Sequence, residues 1–327
     1  MSALHPILNP RSIAVVGASN DPAKLTGRPI AFLQAQGYDG SIYPVNPRSD
    51  AVAGLKSYSS IADLPEAPDL GLILLGANRV VDAVRDLSER GCKAAVVLAS
   101  GFGEAGEEGR ALQLELRAAA GEMRILGPNT IGLVNLTDRI PLTASGAMEM
   151  SDFPVGRIAL LSQSGGILGS LLSRAVARGI GFSKLVATGN EVDLEIADFL
   201  DALADDPDTT VCALYLETIR DIDRFRRAAE RAIAAGKSIV AYKVGRSESG
   251  ARSAVSHTGA LAGAFEVYEA LFRQLGIIQA QTFNELLDLP AALAQGRRMA
   301  GKRVAIVTST GGAATVVADN VGLMGLD

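Results

Sequence analysis

The stretch Arg157-Ile158-Ala159-Leu160-Leu161-Ser162-Gln163-Ser164-Gly165-Gly166 decides the fold. A short aliphatic run passes directly into hydroxylated residues and glycines, the pattern of a buried strand turning into the start of a helix. Such a junction presents unpaired backbone N–H groups and the positive end of a helix dipole, so it is a ready anion site. Near the end of the chain the pattern returns as Arg303-Val304-Ala305-Ile306-Val307-Thr308-Ser309-Thr310-Gly311-Gly312. Residues 156–182 and 302–327 read as copies, and the repeat implies duplicated flavodoxin-like domains. The second copy holds one strand and one helix, which cannot bury their own apolar faces. The expectation is a fragment of a longer protein; the alternative is that this unit packs as an extra layer on the domain before it.

Working outward from Arg157, further strand-like runs follow at Lys184-Leu185-Val186, 211–216, 238–242 and Gly276-Ile277-Ile278. They alternate with helix-length segments, as βαβ units on a parallel sheet do. A similar set precedes them, at 12–16, 41–45, 70–75, 94–98 and 124–126, with helical periodicity from Arg79 to Arg90 and from Glu107 to Ala120. The fold class is α/β. A Rossmann-like domain is expected over 1–136, a turn-rich linker over 137–154, a doubly wound flavodoxin-like domain over 155–298, and the first strand and helix of a second such domain over 299–327.

Composition narrows the function. A hydrophobic share of 48% supplies sizeable cores, while 5% aromatics and 35 glycines suit a fold with many tight strand-to-helix turns. The net charge of −5 comes from mixed signs, so no nucleic-acid or anionic-membrane surface is indicated. No apolar run approaches the roughly 20 residues that span a bilayer, and no signal peptide opens the chain. Cys92 and Cys212 sit beside apolar runs and read as reduced core residues of a cytoplasmic protein. Neither histidine nor cysteine is clustered, so no metal site is expected.

The turns carry the chemistry. Gly17-Ala18-Ser19-Asn20 follows the first strand, with Lys24, Gly27 and Arg28 ahead of the first helix, which marks a phosphate site without a full G-x-G-x-x-G. The second strand ends in Val45-Asn46-Pro47-Arg48. A basic residue where a dinucleotide dehydrogenase would carry an acid favours a ligand with a ribose phosphate, coenzyme A or NADP, over NAD. Gly76-Ala77-Asn78, Ser100-Gly101-Phe102-Gly103-Glu104 and Gly127-Pro128-Asn129-Thr130-Ile131-Gly132 end the next three strands. Each alone is an ordinary tight turn; together on one edge they favour a ligand crevice.

In the second domain the stretch Ser253-Ala254-Val255-Ser256-His257-Thr258-Gly259-Ala260-Leu261-Ala262-Gly263 sets a lone histidine among small residues. His257 is a candidate phosphate carrier, since a neutral imidazole is a nucleophile or base; the plainer alternative is a helix cap. Glu217 ends a strand at the crevice and could hold one imidazole nitrogen, leaving the other to attack; the alternative is a solvated loop carboxylate. Ser164, Gly165 and Gly166 would bind the phosphate at one helix N-terminus, and Gly311 and Gly312 at a second.

From about Leu8 to Asp327 the chain resembles the NDP-forming (ADP-forming) acyl-CoA synthetases, relatives of the succinyl-CoA synthetase α chain. The likeness rests on Val16-Gly17-Ala18-Ser19, Pro44-Val45-Asn46-Pro47, Gly127-Pro128-Asn129, Ser162-Gln163-Ser164-Gly165-Gly166, Gly189-Asn190-Glu191 and Ser256-His257-Thr258-Gly259. The resemblance implies a CoA-binding Rossmann domain followed by flavodoxin-like domains. It also implies an ATP-grasp domain or subunit, absent from this chain, that supplies ATP or ADP and Mg2+. The reaction it implies joins a small carboxylic acid to CoA with NTP cleavage to NDP and phosphate, through acyl phosphate and phosphohistidine at His257, with Glu217 orienting the imidazole. Gly17, Ser19, Lys24 and Asn46 would match the CoA crevice, with Ala18, Gly27, Pro47, Gly76, Asn78, Ser100 and Gly101 around it. A non-catalytic CoA-binding regulatory module of a protein acetyltransferase is the alternative, although relatives of that kind lack the histidine, and an NADP-dependent oxidoreductase comes third. The acid and the choice of ATP or GTP are not legible, and uncovered apolar faces favour a homo-oligomer.

Overall fold

The computed structural model describes residues 4–149, 153–247, 249–250, 265–296 and 300–327, and the chain divides into two compact units, Met1–Ala294 and Gln295–Asp327. The first unit holds two sheets. In the first, β1 (Ser12–Val16), β2 (Ser41–Val45), β5 (Leu70–Ile73), β6 (Ala94–Val97) and β7 (Arg124–Leu126) run parallel in the order 2-1-5-6-7. A small antiparallel hairpin, β3 (Ala51–Val52) with β4 (Leu55–Lys56), follows β2. Every residue of β1, β5 and β6 is buried, because helices cover both faces of the sheet. After the short α1 (His5–Leu8), the helices are α2 (Arg28–Ala35), α3 (Ala77–Glu89) and α4 (Glu107–Ala120). Helix α3 buries Val80, Ala83, Val84 and Leu87, a three-and-four spacing that makes one apolar stripe. Glu107 and Glu108 open α4 and Arg117 closes it, each complementing the helix dipole.

The second sheet contains β8 (Gly132–Asn135), β9 (Ile140–Thr143), β10 (Val155–Ser162), β11 (Phe182–Ala187), β12 (Val211–Leu216), β13 (Ser238–Lys243) and β14 (Ile278–Gln279). Its order is 14-13-12-10-11-8-9, parallel from β14 to β11 and antiparallel for β8 and β9. Helices α5 (Gly165–Val176), α6 (Ile196–Ala204), α7 (Ile222–Ala234), α8 (Phe265–Leu275) and α9 (Glu285–Ala294) accompany it. The parallel parts of both sheets therefore share one winding, in which the first strand lies between the second and the third. Each has its topological switch point beside its first strand.

Three sequence expectations change. The stretch read as a linker contains β9, whose four residues are all buried. Pro141 disguised it, yet a proline is tolerated here because β9 is an edge strand. The strand expected at 276–278 lies at Ile278–Gln279, since Gly276, at φ +73°, ends α8 and the Ile277 N–H returns to the Phe272 carbonyl at 2.9 Å. In the second unit the run 303–307 forms no strand among the described residues. The Val304 N–H donates to the Asp327 carbonyl at 2.6 Å and the Asp327 N–H to that of Lys302 at 2.8 Å. A strand needs a ladder partner, and this run has only that short tie. The helix of this unit, α10 (Gly311–Leu323), buries none of its residues.

Within the first unit the segment after β11 stitches the two sheets together. It runs beside β7 and its following turn, with N–H groups of Asn190, Val192 and Leu194 donating to the carbonyls of Pro128, Gly127 and Ile125 at 2.9, 3.1 and 3.1 Å. The Asp193 carboxylate accepts from the Ile125 N–H at 2.8 Å and from Arg124 Nε at 2.9 Å.

Candidate functional site

The turn after β1 is braced by Asn46, whose side-chain amide donates to the Ala18 carbonyl at 2.8 Å while its oxygen accepts from the Arg48 N–H at 2.9 Å. Gly27 packs so tightly that a Cβ there would lie 2.0 Å from the Asp21 carbonyl oxygen. Its N–H is spent on the Lys24 carbonyl at 3.0 Å. Lys24, 68% exposed, pairs with Asp21 at 3.7 Å. Gly76 caps α3, which contains Asn78, and the Gly101 N–H donates to Glu104 Oε1 at 2.6 Å. Gly17, Ala18, Ser19, Asn46 and Pro47 form the turns after β1 and β2.

Between these turns and α5 lies a cavity of about 550 Å3. From the first domain it is lined by Leu25, Thr26, Arg28, Leu74, Leu75, Leu98, Ala99 and Ser100. The connection between the sheets adds Asn129, Thr130 and Ile131, and the second domain adds Ser145, Gly146, Gln163, Ser164, Gly165 and Gly166. Of the residues assigned to the site from sequence, Ser100, Ser164, Gly165 and Gly166 line this space, together with Arg28, Asn129 and Gln163 of the quoted motifs; the rest of the CoA set does not line it, Asn78 lying in α3 and the others in turns. Ser164 is the N-cap of α5, its Oγ accepting from the Ile167 N–H at 3.4 Å. A Cβ on Gly165 would stand 2.8 Å from Ile131 Cγ2, whereas one on Gly166 would meet open space. Arg28, the cation on the lining, pairs with Glu149 at 3.0 Å.

The second crevice opens where β10 and β12 end, around a pocket of about 30 Å3 lined by Asn129, Gln163, Gly189, Asn190, Glu191, Glu217, Thr218 and Arg220. Glu217 is not a solvated loop acid; it is 8% exposed. Its N–H and that of Thr218 donate to Gln163 Oε1 at 2.6 and 3.0 Å. Gln163 Nε2 donates to Glu191 Oε2 and to the Thr218 carbonyl, both at 2.8 Å. Glu191, at φ +53°, also accepts from Thr188 Oγ1 at 2.8 Å and the Ile196 N–H at 3.1 Å, with Arg220 Nε 3.7 Å away. Burial pushes its carboxyl up to about 7, against the donors of Gln163 and Thr188 and the charge of Arg220.

Lys243, ending β13 beside Leu216, is 1% exposed. Its ammonium donates to the Val244 carbonyl and lies 4.6 Å from the centre of the Tyr268 ring. Burial brings its amine down to about 8, with the Glu217 charge pulling the other way. Neither Gln163 nor Glu191 was assigned a role from sequence, although both sit inside quoted motifs, and Lys243 was missed altogether. A lysine closing the otherwise uncharged strand 238–243 was the available signal. His257 lies outside the described residues, and Gly311 and Gly312 open a helix of the other unit. Among the described residues no cluster of His, Cys, Asp or Glu could hold a metal ion, and no helix is long and apolar enough to cross a membrane. Cys92 and Cys212 are buried and free.

Two doubly wound domains share one cavity, walled by strand-end residues of the first and the N-terminus of α5 from the second, with the buried acids Glu191 and Glu217 in an adjoining crevice, and so define a two-domain α/β core. Residues 11–135 match the model of a CoA-binding domain and residues 155–293 that of a succinyl-CoA ligase-like flavodoxin domain. The alpha subunit of ADP-forming acetate–CoA ligase II of Pyrococcus furiosus is 39% identical over 321 residues, 97% of this chain and 68% of that subunit. A trans-feruloyl-CoA synthase from an unknown prokaryotic organism is also 39% identical, over 97% of this chain and 46% of its own length. The dinucleotide-forming acetyl-coenzyme A synthetase 1 of Ca. Korarchaeum cryptofilum, solved with phosphate and ADP, superposes with a TM-score of 0.93 at 36% identity, covering 99% of this chain and 69% of that one. The chain belongs to the NDP-forming acyl-CoA synthetases, acid–thiol ligases, and represents their CoA-binding and succinyl-CoA ligase-like portion. It spans about two thirds of the P. furiosus subunit and under half of the feruloyl-CoA synthase.

Proposed function

We propose that this chain interconverts acyl-CoA and phosphate with acyl phosphate and CoA, and that His257 then carries the phosphoryl group. The observation that supports it most is the 550 Å3 cavity, which places the strand ends of the CoA-binding domain and the N-terminus of α5 around one space. A thioester entering from the first side meets phosphate held at Ser164, Gly165 and Gly166 on the other. A phosphate oxygen attacks the thioester carbonyl, the C–S bond breaks, and the CoA thiolate takes up a proton. The imidazole of His257 next attacks phosphorus, the P–O bond to the acyl group breaks, and the carboxylate leaves. Glu217 holds the other imidazole nitrogen and stabilises the cation that forms.

The CoA set of Gly17, Ala18, Ser19, Lys24, Gly27, Asn46, Pro47, Gly76, Asn78, Ser100 and Gly101 fits this role chiefly through backbone. Asn46 acts by shaping the turn rather than by reaching ligand, and Lys24 supplies exposed positive charge for CoA phosphates. ATP or ADP with Mg2+ belongs to an ATP-grasp domain or subunit acting on the same histidine. The buried thiols suit a cytoplasmic setting.

The test is to incubate the protein with inorganic phosphate and a panel of thioesters from acetyl-CoA to feruloyl-CoA, then map phosphate by peptide mass analysis. Acid-labile phosphate on His257 with one thioester is the expected result, and it names the acid. CoA binding without phosphorylation by any thioester would leave a regulatory CoA-binding module.

A further inference from the structure

Beyond Glu217 itself, the second crevice contains a polar assembly with no surface role. Gln163 follows β10, Glu217 follows β12, and these neighbouring strands diverge at the switch point. The last backbone rung is the Gln163 N–H to the Tyr215 carbonyl, at 3.3 Å. Past that rung the ladder is continued by the Gln163 side chain, whose hydrogen bonds to Glu217, Thr218 and Glu191 use both donors and both acceptor sites of the amide.

A primary amide can be turned either way. Backbone fixes this one: the Glu217 and Thr218 N–H groups can only donate and the Thr218 carbonyl can only accept, so Oε1 faces the former and Nε2 the latter, and the second N–H of Nε2 is delivered to Glu191. We propose that Gln163 and Glu191 are positioning residues that set the strand-end backbone of Glu217 and so aim its carboxylate. This rests on the reading of Glu217 as the acid that serves His257. Three features support it. Both side chains are under 10% exposed. A non-glycine residue is held at positive φ, a strain that persists where the surroundings over-determine it. The polar groups of the assembly are mutually satisfied, the condition under which a buried network rigidifies a site.

Two measurements on the full chain test it. In the first, amide hydrogen exchange at Glu217 and Thr218 is followed in wild type, Gln163→Ala and Glu191→Gln. The second variant keeps the shape of the side chain but offers one acceptor where three donors converge. Exchange at these two amides should rise at least about tenfold in both variants while protection elsewhere in the sheet is kept. Unchanged protection, or loss of protection spread over the whole sheet, overturns the proposal.

The second measurement is the rate of His257 phosphorylation from acyl-CoA and phosphate. Each variant should slow it about 10- to 100-fold at saturating thioester, the usual scale for residues that orient a working group. In a Glu217→Gln background the same substitutions should cost little more, because they act through Glu217. Full additivity refutes that route. If wild type takes up no phosphate yet the two amides lose protection in the variants, the phosphocarrier reading fails and the positioning of the Glu217 backbone stands.

Discussion

The two crevices share one winding and differ in what lines them. The first is walled by backbone turns, small residues, leucines and the N-terminus of α5 around some 550 Å3; its cation Arg28 pairs with Glu149, and Lys24, off the lining, pairs with Asp21. The second encloses about 30 Å3 and packs Gln163, Glu191 and Glu217 out of water, with Lys243 buried at the end of the neighbouring strand β13. The same topology thus serves two purposes. A roomy crevice of backbone and aliphatic groups offers shape to a long ligand, whereas a tight crevice of buried ionisable groups shifts their titration, raising Glu191 and lowering Lys243.

The largest expected break between them is His257→Ala. It should abolish phosphorylation while CoA affinity, measured by calorimetry, stays within about twofold, because His257 lies outside residues 11–135, which match a CoA-binding domain. Retained turnover would remove the division of labour. Next, Glu217→Gln should slow phosphorylation about 100-fold, the scale of losing one acid–base or orienting partner, with the thermal midpoint little changed; wild-type rates would make Glu217 a structural acid. A smaller effect separates two adjacent glycines where the crevices meet. Gly165→Ala should cost about 1–3 kcal/mol in a denaturant titration, since its Cβ meets Ile131 at 2.8 Å, while Gly166→Ala should be near neutral. Equal costs would show that the α5 start is not packed as described.

The smallest is a pH effect confined to the second crevice. Glu191 titrates near 7 in the fold, above its ordinary 4.5. Between those values the folded chain holds a proton that the unfolded chain has released, so stability from this group falls as pH rises through the window. Melts of wild type and Glu191→Gln across pH 4.5–7.5 should show that loss in wild type and a flatter profile in the variant.

The buried parallel strands were legible because a strand covered on both faces must be apolar throughout, as Ile13-Ala14-Val15-Val16 and Val211–Leu216 are. Strand β9 escaped because Pro141 lies within it and turn residues surround it; only the sheet shows that it occupies an edge. The turns of the first crevice could be read since each follows its own strand directly. The Gln163–Glu191–Glu217 assembly could not, because its members are separated by whole βα units and meet only once the strand order brings β10 beside β12. Lys243 was hidden for the opposite reason. A lone charge at a strand end reads as solvated until Tyr268 is placed against it.

Only residues 127–131 separate β7, the last strand of the first sheet, from β8, which already belongs to the second. Excising the second domain at residue 155 would strip away the hairpin and bare the backbone of Lys184, Leu185 and Val186, now paired with Asn135, Val134 and Leu133. An unpaired strand edge is a template for joining other chains. What recombination can move intact is therefore the pair of domains, since the covering of one is threaded from the end of the other.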